Sequence, residues 1–141
     1  MLILIDSLHL VFTAAFCSLL WVVQVLVYPQ FSAVGRDHFA NYHAKHMQRM
    51  MPPVGVIFLG EGTTAAISFV LLVDMQPFLQ SASVLLFAFN ALLTFLIFVP
   101  LHQKLQAQVS EPLLRRLVRL NWLRTICSSA RLGVVVAITV G

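Results

Sequence analysis

Charged residues interrupt two long apolar runs of this sequence, and their chemistry is the first clue to function. Glu61 lies inside the run 53–73, and Arg124 lies inside the run 113–140. An ionisable side chain at membrane depth is costly, so it normally faces a partner or a wet cavity and marks a functional position. By helical rise, both lie about 12–14 Å along their spans. We therefore predict that Glu61 pairs with Arg124, as a structural ion pair or as part of a catalytic site.

Histidines near the ends of the apolar runs form a second group of candidates. His43 and His46 are three residues apart, which places them on one face of a helix, and His102 follows the third apolar run. Imidazole groups in such places can move protons. Together with Glu61, the three histidines would also suit a non-haem iron, copper or zinc ion. The cofactor is therefore left open. The hypotheses are a metal ion bound by His43, His46 and His102, or a haem.

Other polar and aromatic side chains are predicted to line the same region and to bind a ligand. Each also has a structural explanation, because buried amides join helices and aromatic residues form belts at membrane interfaces. Polar residues three or four apart form a stripe on the second and fourth runs, which predicts a polar seam inside the bundle, open to the cytoplasm. The ligand-binding candidates are Gln24, Tyr28, Tyr42, His102, Asn121 and Trp122.

Membrane spans are the elements that must position these residues. The chain is 60% hydrophobic and 10% charged, and its mean hydropathy is +0.91, whereas soluble domains carry about 25% charged residues. Four apolar runs can each cross about 30 Å of hydrocarbon. They leave no room for a separate soluble domain, and we treat the first run as a retained span. We therefore predict a single all-α domain over residues 1–141, an integral membrane four-helix bundle with spans at 8–28, 53–73, 82–101 and 113–140.

Basic residues are placed unevenly and predict the orientation. They lie between the first and second runs and around the start of the fourth, and none precedes the first run. The positive-inside rule therefore places both longer connections in the cytoplasm and both termini outside, in a bacterial inner (plasma) membrane. We expect these residues to meet anionic lipid headgroups and not nucleic acid. The basic residues that decide this are Arg36, Lys45, Arg49, Lys104, Arg115, Arg116 and Arg119.

Prolines and helical spacing predict the shape of the connections. Residues 37–51 lack Gly and Pro and repeat apolar and histidine residues at helical spacing, so we predict an amphipathic helix on the cytoplasmic surface between spans one and two. Whether this helix continues into span two past Pro52 and Pro53 stays open. A kink or break is expected at Pro52 and Pro53, which cannot donate backbone hydrogen bonds. Pro100 should bend the end of span three. The start of the last helix is predicted by its N-cap and first-turn residues, Ser110, Glu111 and the proline after them.

Several short motifs carry a resemblance to a known family. They are WVVQVLVYPQF (21–31), YHAKH (42–46), Pro-Pro followed by GEG (60–62), VPLH (99–102) and NWLRT (121–125). With them the chain resembles a family of small four-span bacterial membrane proteins, distantly similar to the anthrone-oxygenase-like group. The resemblance implies a four-helix membrane bundle whose site lies at the polar positions named for the ion pair, the histidines and the ligand-binding candidates. By analogy it also implies cofactor-independent or metal-assisted oxidation of a hydrophobic aromatic compound.

Two classes of function remain open, and the sequence alone does not decide whether the chain is an enzyme. In the first, the bundle acts on a lipophilic small molecule such as a quinone, which enters from the lipid. Arg124 would hold an oxyanion, and His43, His46 or Glu61 would move protons as catalytic residues. In the second, the chain is a non-catalytic accessory, lipid-binding or transporter subunit of a larger membrane complex, or of a homo-oligomer.

Overall fold

The computed structural model describes residues 2–141, and the regular secondary structure of this range is helical throughout. With their turns, the helices form four segments long and apolar enough to cross a membrane, which confirms the prediction of an all-α chain with four helices of spanning length. The segments are Ile3–Ala33, Arg36–Leu72, Pro77–Ala107 and Glu111–Val140. Their parts are α1 (Leu2–Val22), a π-helical turn (Val23–Val27), α2 (Tyr28–Gln30), a 3₁₀ turn (Phe31–Ala33), α3 (Arg36–Leu72), α4 (Pro77–Leu93), a second π-helical turn (Thr94–Phe98), α5 (Val99–Ala107) and α6 (Glu111–Val140).

The four segments pack as an up-down-up-down bundle. Helix α1 contacts α3 and α6, and α4 contacts the same two helices, so α1 and α4 lie on a diagonal. The connections are short, which makes neighbouring helices antiparallel. Both chain ends and the turn at 73–76 therefore lie together, at what we call the termini end. The opposite end carries His43 and His102, and we call it the histidine end.

The bundle is apolar outside and polar inside. Large apolar side chains such as Leu59 and Val70 are 69% and 75% exposed. Such a surface suits lipid, while packing and polar contacts between helices occupy the interior. Sixteen polar or charged residues of the described range are buried: His9, Thr13, Gln24, His43, Glu61, Thr64, Ser68, Gln80, Ser83, Asn90, His102, Asn121, Arg124, Thr125, Ser128 and Arg131.

The predicted surface helix between spans one and two is part of a longer helix. Helix α3 runs without interruption from Arg36 to Leu72, through Pro52 and Pro53. Both prolines are exposed, as are Gln48 and Arg49, whose carbonyl groups lose their donors. Since these carbonyls lie on the outside of the bundle, the missing hydrogen bonds do not force the helix to end. The helix does not break at these prolines, and the surface helix continues into span two, which is one of the two outcomes that the sequence left open. The predicted spans lie within the four long segments, apart from Val73 just after α3.

Helix α6 begins where its start signals predict. Ser110 has extended backbone angles at the N-cap, and Glu111 and Pro112 occupy the first turn. Glu111 also pairs with Arg115 one turn later, at 3.0 Å. The predicted helix start is confirmed.

Two π-helical turns reshape the first and third segments just before a proline. In the first, the Tyr28 N–H donates to the Val23 carbonyl, and Pro29 comes next. In the second, the Val99 N–H donates to the Thr94 carbonyl, and Pro100 comes next. Each proline lacks the N–H that an α-helical ladder would need at that position. The sequence predicts a bend at Pro100, and the structure places a widened turn there instead.

Candidate functional site

An apolar cavity opens at the histidine end, between the first segment, α3 and the third segment. Its volume is about 800 Å³, within the usual range of small-molecule pockets. Polar groups meet at one side of it, where Tyr28, His43, His102 and Arg124 reach the wall. Both π-helical turns contribute, since Val23, Thr94 and Phe98 also line it. Three methionines, Met47, Met50 and Met51, form a further part of its wall.

A hydrogen-bonded chain of four side chains runs along the polar side of the cavity. The Tyr28 hydroxyl lies 3.1 Å from His102 Nε2, and His102 Nδ1 lies 2.9 Å from His43 Nε2. His43 Nδ1 lies 2.7 Å from Gln106 Oε1. We call this chain the relay. It connects the buried Tyr28 with Gln106, which is exposed at the histidine end.

Aromatic side chains hold the two imidazoles of the relay. Phe39 stacks on His43 with ring centroids 5.4 Å apart, and Phe31 meets the His43 ring edge-on at 5.7 Å. Phe31 also packs edge-on against His46 at 5.1 Å. The Phe31 and Phe39 side chains are completely buried, so the histidine rings sit against a rigid wall.

Arg124 brings a positive charge to the cavity wall beside Tyr28. Its guanidinium lies 4.4 Å from the centre of the Phe98 ring, and it donates to Asn121 Oδ1 at 3.5 Å. Within residues 2–141, Arg124 Nε has no hydrogen-bond partner, although it is buried. A ligand oxygen next to Tyr28 would find a donor there.

The three histidines predicted to hold a metal do come together, but His43 and His102 are hydrogen-bonded to each other, to Gln106 and to Tyr28. His43 and His102 share a hydrogen bond of 2.9 Å, too short for two nitrogens to bind one zinc ion at about 2.0–2.1 Å each in tetrahedral geometry. The His46 ring centre is 6.5 Å from that of His43. In the described part of the chain, no group of three His, Cys, Asp or Glu side chains is placed to hold a metal ion. These residues therefore fit a proton relay better than a metal site.

Glu61 pairs with Arg131 and not with Arg124, so the predicted ion pair is wrong in its partner. The Arg131 guanidinium binds Glu61 Oε1 in a buried salt bridge. It also donates to the Ser83 carbonyl at 2.9 Å and to Thr13 at 3.4 Å, and it lies 3.1 Å from His9 Nε2. These contacts reach all four segments of the bundle. We call these five residues the arginine cluster.

The predicted pairing failed because the depth of each residue was counted from the end of its own span. The Arg124 guanidinium lies over the Phe98 ring and, like Val54, lines the cavity at the histidine end. Arg131 lies two helical turns further along α6, about 10 Å by helical rise. Glu61 therefore belongs to the arginine cluster, which lies nearer the termini end than the cavity.

Two glycines explain how the arginine cluster is closed off. A Cβ atom at Gly60 would overlap the Phe12 ring of α1, and one at Gly62 would lie 2.9 Å from the Phe87 ring of α4. Phe87 in turn lies under the Arg131 guanidinium, 5.2 Å from its ring centre. The motif Gly-Glu-Gly therefore lets two aromatic rings pack directly on the backbone at Glu61.

The remaining predicted ligand-binding residues lie outside the cavity. Asn121 donates to Gln24 Oε1 at 3.0 Å, so these two amides join α6 to the first segment. In sequence, Gln24 lies between the cavity-lining Val23 and Tyr28. Tyr42 is 39% exposed and Trp122 is 41% exposed, and Trp122 packs edge-on against Trp21 at 5.7 Å. Within the described range, neither these residues nor Glu61 line the cavity.

Sequence reasoning missed Gln106, the last member of the relay. Gln106 lies four residues after His102 on α5, a spacing that places both side chains on one helical face. This spacing is the signal that could have found it. The partners of Arg131 on α1 and α4 carry no comparable signal, because they depend on how the helices are rotated against each other.

Comparison with protein-family models, curated proteins and solved structures found no match to this chain. Its function must therefore be inferred from the geometry of the cavity and from the residues around it.

Proposed function

We propose that this chain is a multi-pass protein of a bacterial inner membrane that binds a lipophilic small molecule in the cavity and accepts a proton from it. The observation that carries the proposal is the relay at the polar side of an otherwise apolar cavity. Tyr28, His102 and His43 are all buried. A buried hydrogen-bonded chain that reaches the surface is a structure suited to general acid–base chemistry.

The cavity wall supports a ligand that arrives from the lipid. Several residues that line the cavity are also exposed on the outside of the bundle. They are Ala44 and Met51 of α3, and Val99, Gln103 and Ala107 of the third segment. A molecule dissolved in the bilayer could pass between these two helices without crossing water. Methionine side chains adapt to irregular shapes, so this wall suits an aromatic ring system.

In the proposed mechanism the proton moves in three linked transfers. A ligand hydroxyl gives its proton to the Tyr28 oxygen while the Tyr28 proton passes to His102 Nε2. The proton on His102 Nδ1 passes to His43 Nε2, and the positive charge comes to rest on His43, next to Gln106 Oε1. The ligand is left as an oxyanion beside Arg124, whose guanidinium stabilises the new negative charge.

The distribution of basic residues supports a cytoplasmic position for the histidine end. Exposed Lys45, Arg49 and Lys104 lie near that end of the bundle. In this orientation both termini are outside, and the relay exchanges its proton with the cytoplasm.

The resemblance to the anthrone-oxygenase-like group supports the same ligand class. Its motifs WVVQVLVYPQF, YHAKH and VPLH contribute Tyr28, His43, His46 and His102 to the cavity. We propose that the chain is an enzyme acting on a lipophilic aromatic compound. Oxidation of that compound comes from the resemblance alone, whereas its ionisation is inferred from the residues around the cavity.

Ligand-dependent stabilisation tests the proposal. Purified protein in lipid nanodiscs is heated with a naphthol, with anthrone and with lipid alone. A ligand that binds only the folded state raises stability by about 2.7 kcal/mol at 100 times its Kd. We expect the naphthol to raise the melting temperature of the native chain and of His38→Ala, an exposed histidine control. We expect Tyr28→Phe and His102→Ala to lose that increase.

The melting temperatures without ligand show whether these variants fold. If no aromatic compound stabilises the native protein, the small-molecule proposal is rejected. If phospholipid alone stabilises it and Tyr28→Phe responds normally, the chain is a lipid-binding or accessory subunit instead.

A further inference from the structure

We infer that Gln106 decides which ligands the cavity accepts, because it sets the direction of every hydrogen bond in the relay. The inference builds on the proposed binding function and adds the donor or acceptor character of the ligand. Gln106 itself lies at the far end of the relay from Tyr28, three hydrogen bonds away.

The amide of Gln106 is oriented by the backbone of α3. Its Nε2 donates to the Ala40 carbonyl at 2.9 Å. A carbonyl oxygen can only accept, so the other amide atom, Oε1, must face His43 Nδ1. Oε1 can only accept as well. His43 therefore carries its hydrogen on Nδ1 and donates it to Gln106.

The position of the hydrogen on His43 determines the position of the hydrogen on His102. A neutral imidazole has one donor and one acceptor nitrogen, so His43 Nε2 must accept from His102 Nδ1. By the same argument His102 Nε2 accepts from the Tyr28 hydroxyl. The hydrogen of Tyr28 then points away from the cavity, and its oxygen offers only lone pairs to a ligand.

A ligand must match this arrangement at its polar end. An O–H group satisfies both sides, since it donates to the Tyr28 oxygen and its own oxygen accepts from Arg124. A ketone, quinone or ether would leave the Tyr28 oxygen without a donor. We therefore expect a naphthol to bind about tenfold or more tightly than its methyl ether or naphthoquinone, given the usual cost of an unpaired buried polar group.

Two substitutions at Gln106 separate donor from acceptor at this position. In Gln106→Glu the carboxylate can only accept, so the direction of the relay is kept. In Gln106→Lys the ammonium can only donate, so His43 must accept at Nδ1 and every hydrogen bond up to Tyr28 reverses. Gln106 is exposed, so neither change should disturb folding. Gln108→Glu and Gln108→Lys place the same charges at an exposed residue of the histidine end that does not line the cavity.

Nitrogen NMR of histidine-labelled protein in bilayers reads the direction without any ligand. We expect Nδ1–H tautomers of His43 and His102 in the native chain, in Gln106→Glu and in both Gln108 variants. We expect Nε2–H tautomers of both in Gln106→Lys. An Nε2–H tautomer of His43 in the native chain, or unchanged tautomers in Gln106→Lys, would overturn the inference.

Binding then measures the effect on the ligand. The preference for the naphthol over naphthoquinone should reverse in Gln106→Lys and persist in Gln108→Lys. If naphthol and naphthoquinone bind the native chain equally, the inference about Gln106 fails while the proposed binding function stands. If neither binds but the tautomers are as expected, the proposed function fails and the role of Gln106 in orienting the relay is retained.

Discussion

The salt bridge between Glu61 and Arg131 allows a quantitative test of the fold. Both side chains are 1% exposed, and Arg131 also contacts Thr13, Ser83 and His9. Replacing either member alone leaves a buried charge without its partner, which costs about 3–5 kcal/mol. Glu61→Gln and Arg131→Leu together leave no buried charge. We therefore expect the double variant to lose about 2–3 kcal/mol less than the sum of the single losses.

Reversible unfolding in mixed micelles, followed by helical circular dichroism, measures these free energies. The matched control is Glu61→Gln with Arg124→Leu. Arg124 lies about 10 Å from Arg131 along α6 by helical rise, so its effect should add to that of Glu61→Gln within about 0.5 kcal/mol. Additive effects at Arg131, or a strong coupling at Arg124, would refute the pairing in the structure.

Two further predictions concern packing and topology. Gly60→Ala should lower the free energy of unfolding by about 1–3 kcal/mol, because its Cβ overlaps the Phe12 ring. Gly133→Ala is the control and should be neutral or stabilising, because a Cβ there has nothing within 4 Å. Thermal melting measures both variants. In a chain without its native cysteines, a cysteine at Gln108 should react with an impermeant maleimide only from the cytoplasm, and one at Met75 only from outside; the opposite labelling would reverse the proposed orientation.

The four spans could be predicted because their signal is local. Each helix needs only a long apolar run, and the start at Ser110 needs only residues next to each other in sequence. Whether α3 runs uninterrupted or breaks at its prolines could not be decided in this way. Whether Pro52 and Pro53 end a helix depends on where the freed carbonyls point, and that is decided by packing.

The candidate site was likewise predictable only where the signal is local. Tyr28, His43, His102 and Arg124 were identified from residue type and from their places in the spans, and the structure brings them to one cavity. The partner of Glu61 was misidentified, because pairing depends on the relative height and rotation of two helices. The sequence does not show which turn of α6 lies beside Glu61. A difference of two turns makes Arg131, and not Arg124, its partner.

The π-helical turns before Pro29 and Pro100 each absorb one residue more than an α-helical turn. The Tyr28 N–H bonds to the Val23 carbonyl five residues earlier. Removing one residue from Val23–Val27 would make this an ordinary α-helical bond and leave Tyr28 above Val23, facing His102. The same holds for Thr94–Phe98 and the residues that follow it. Chains one residue shorter in either turn should therefore keep the relay, whereas a one-residue deletion in the neighbouring α-helix would rotate one part of the segment against the other by about 100°.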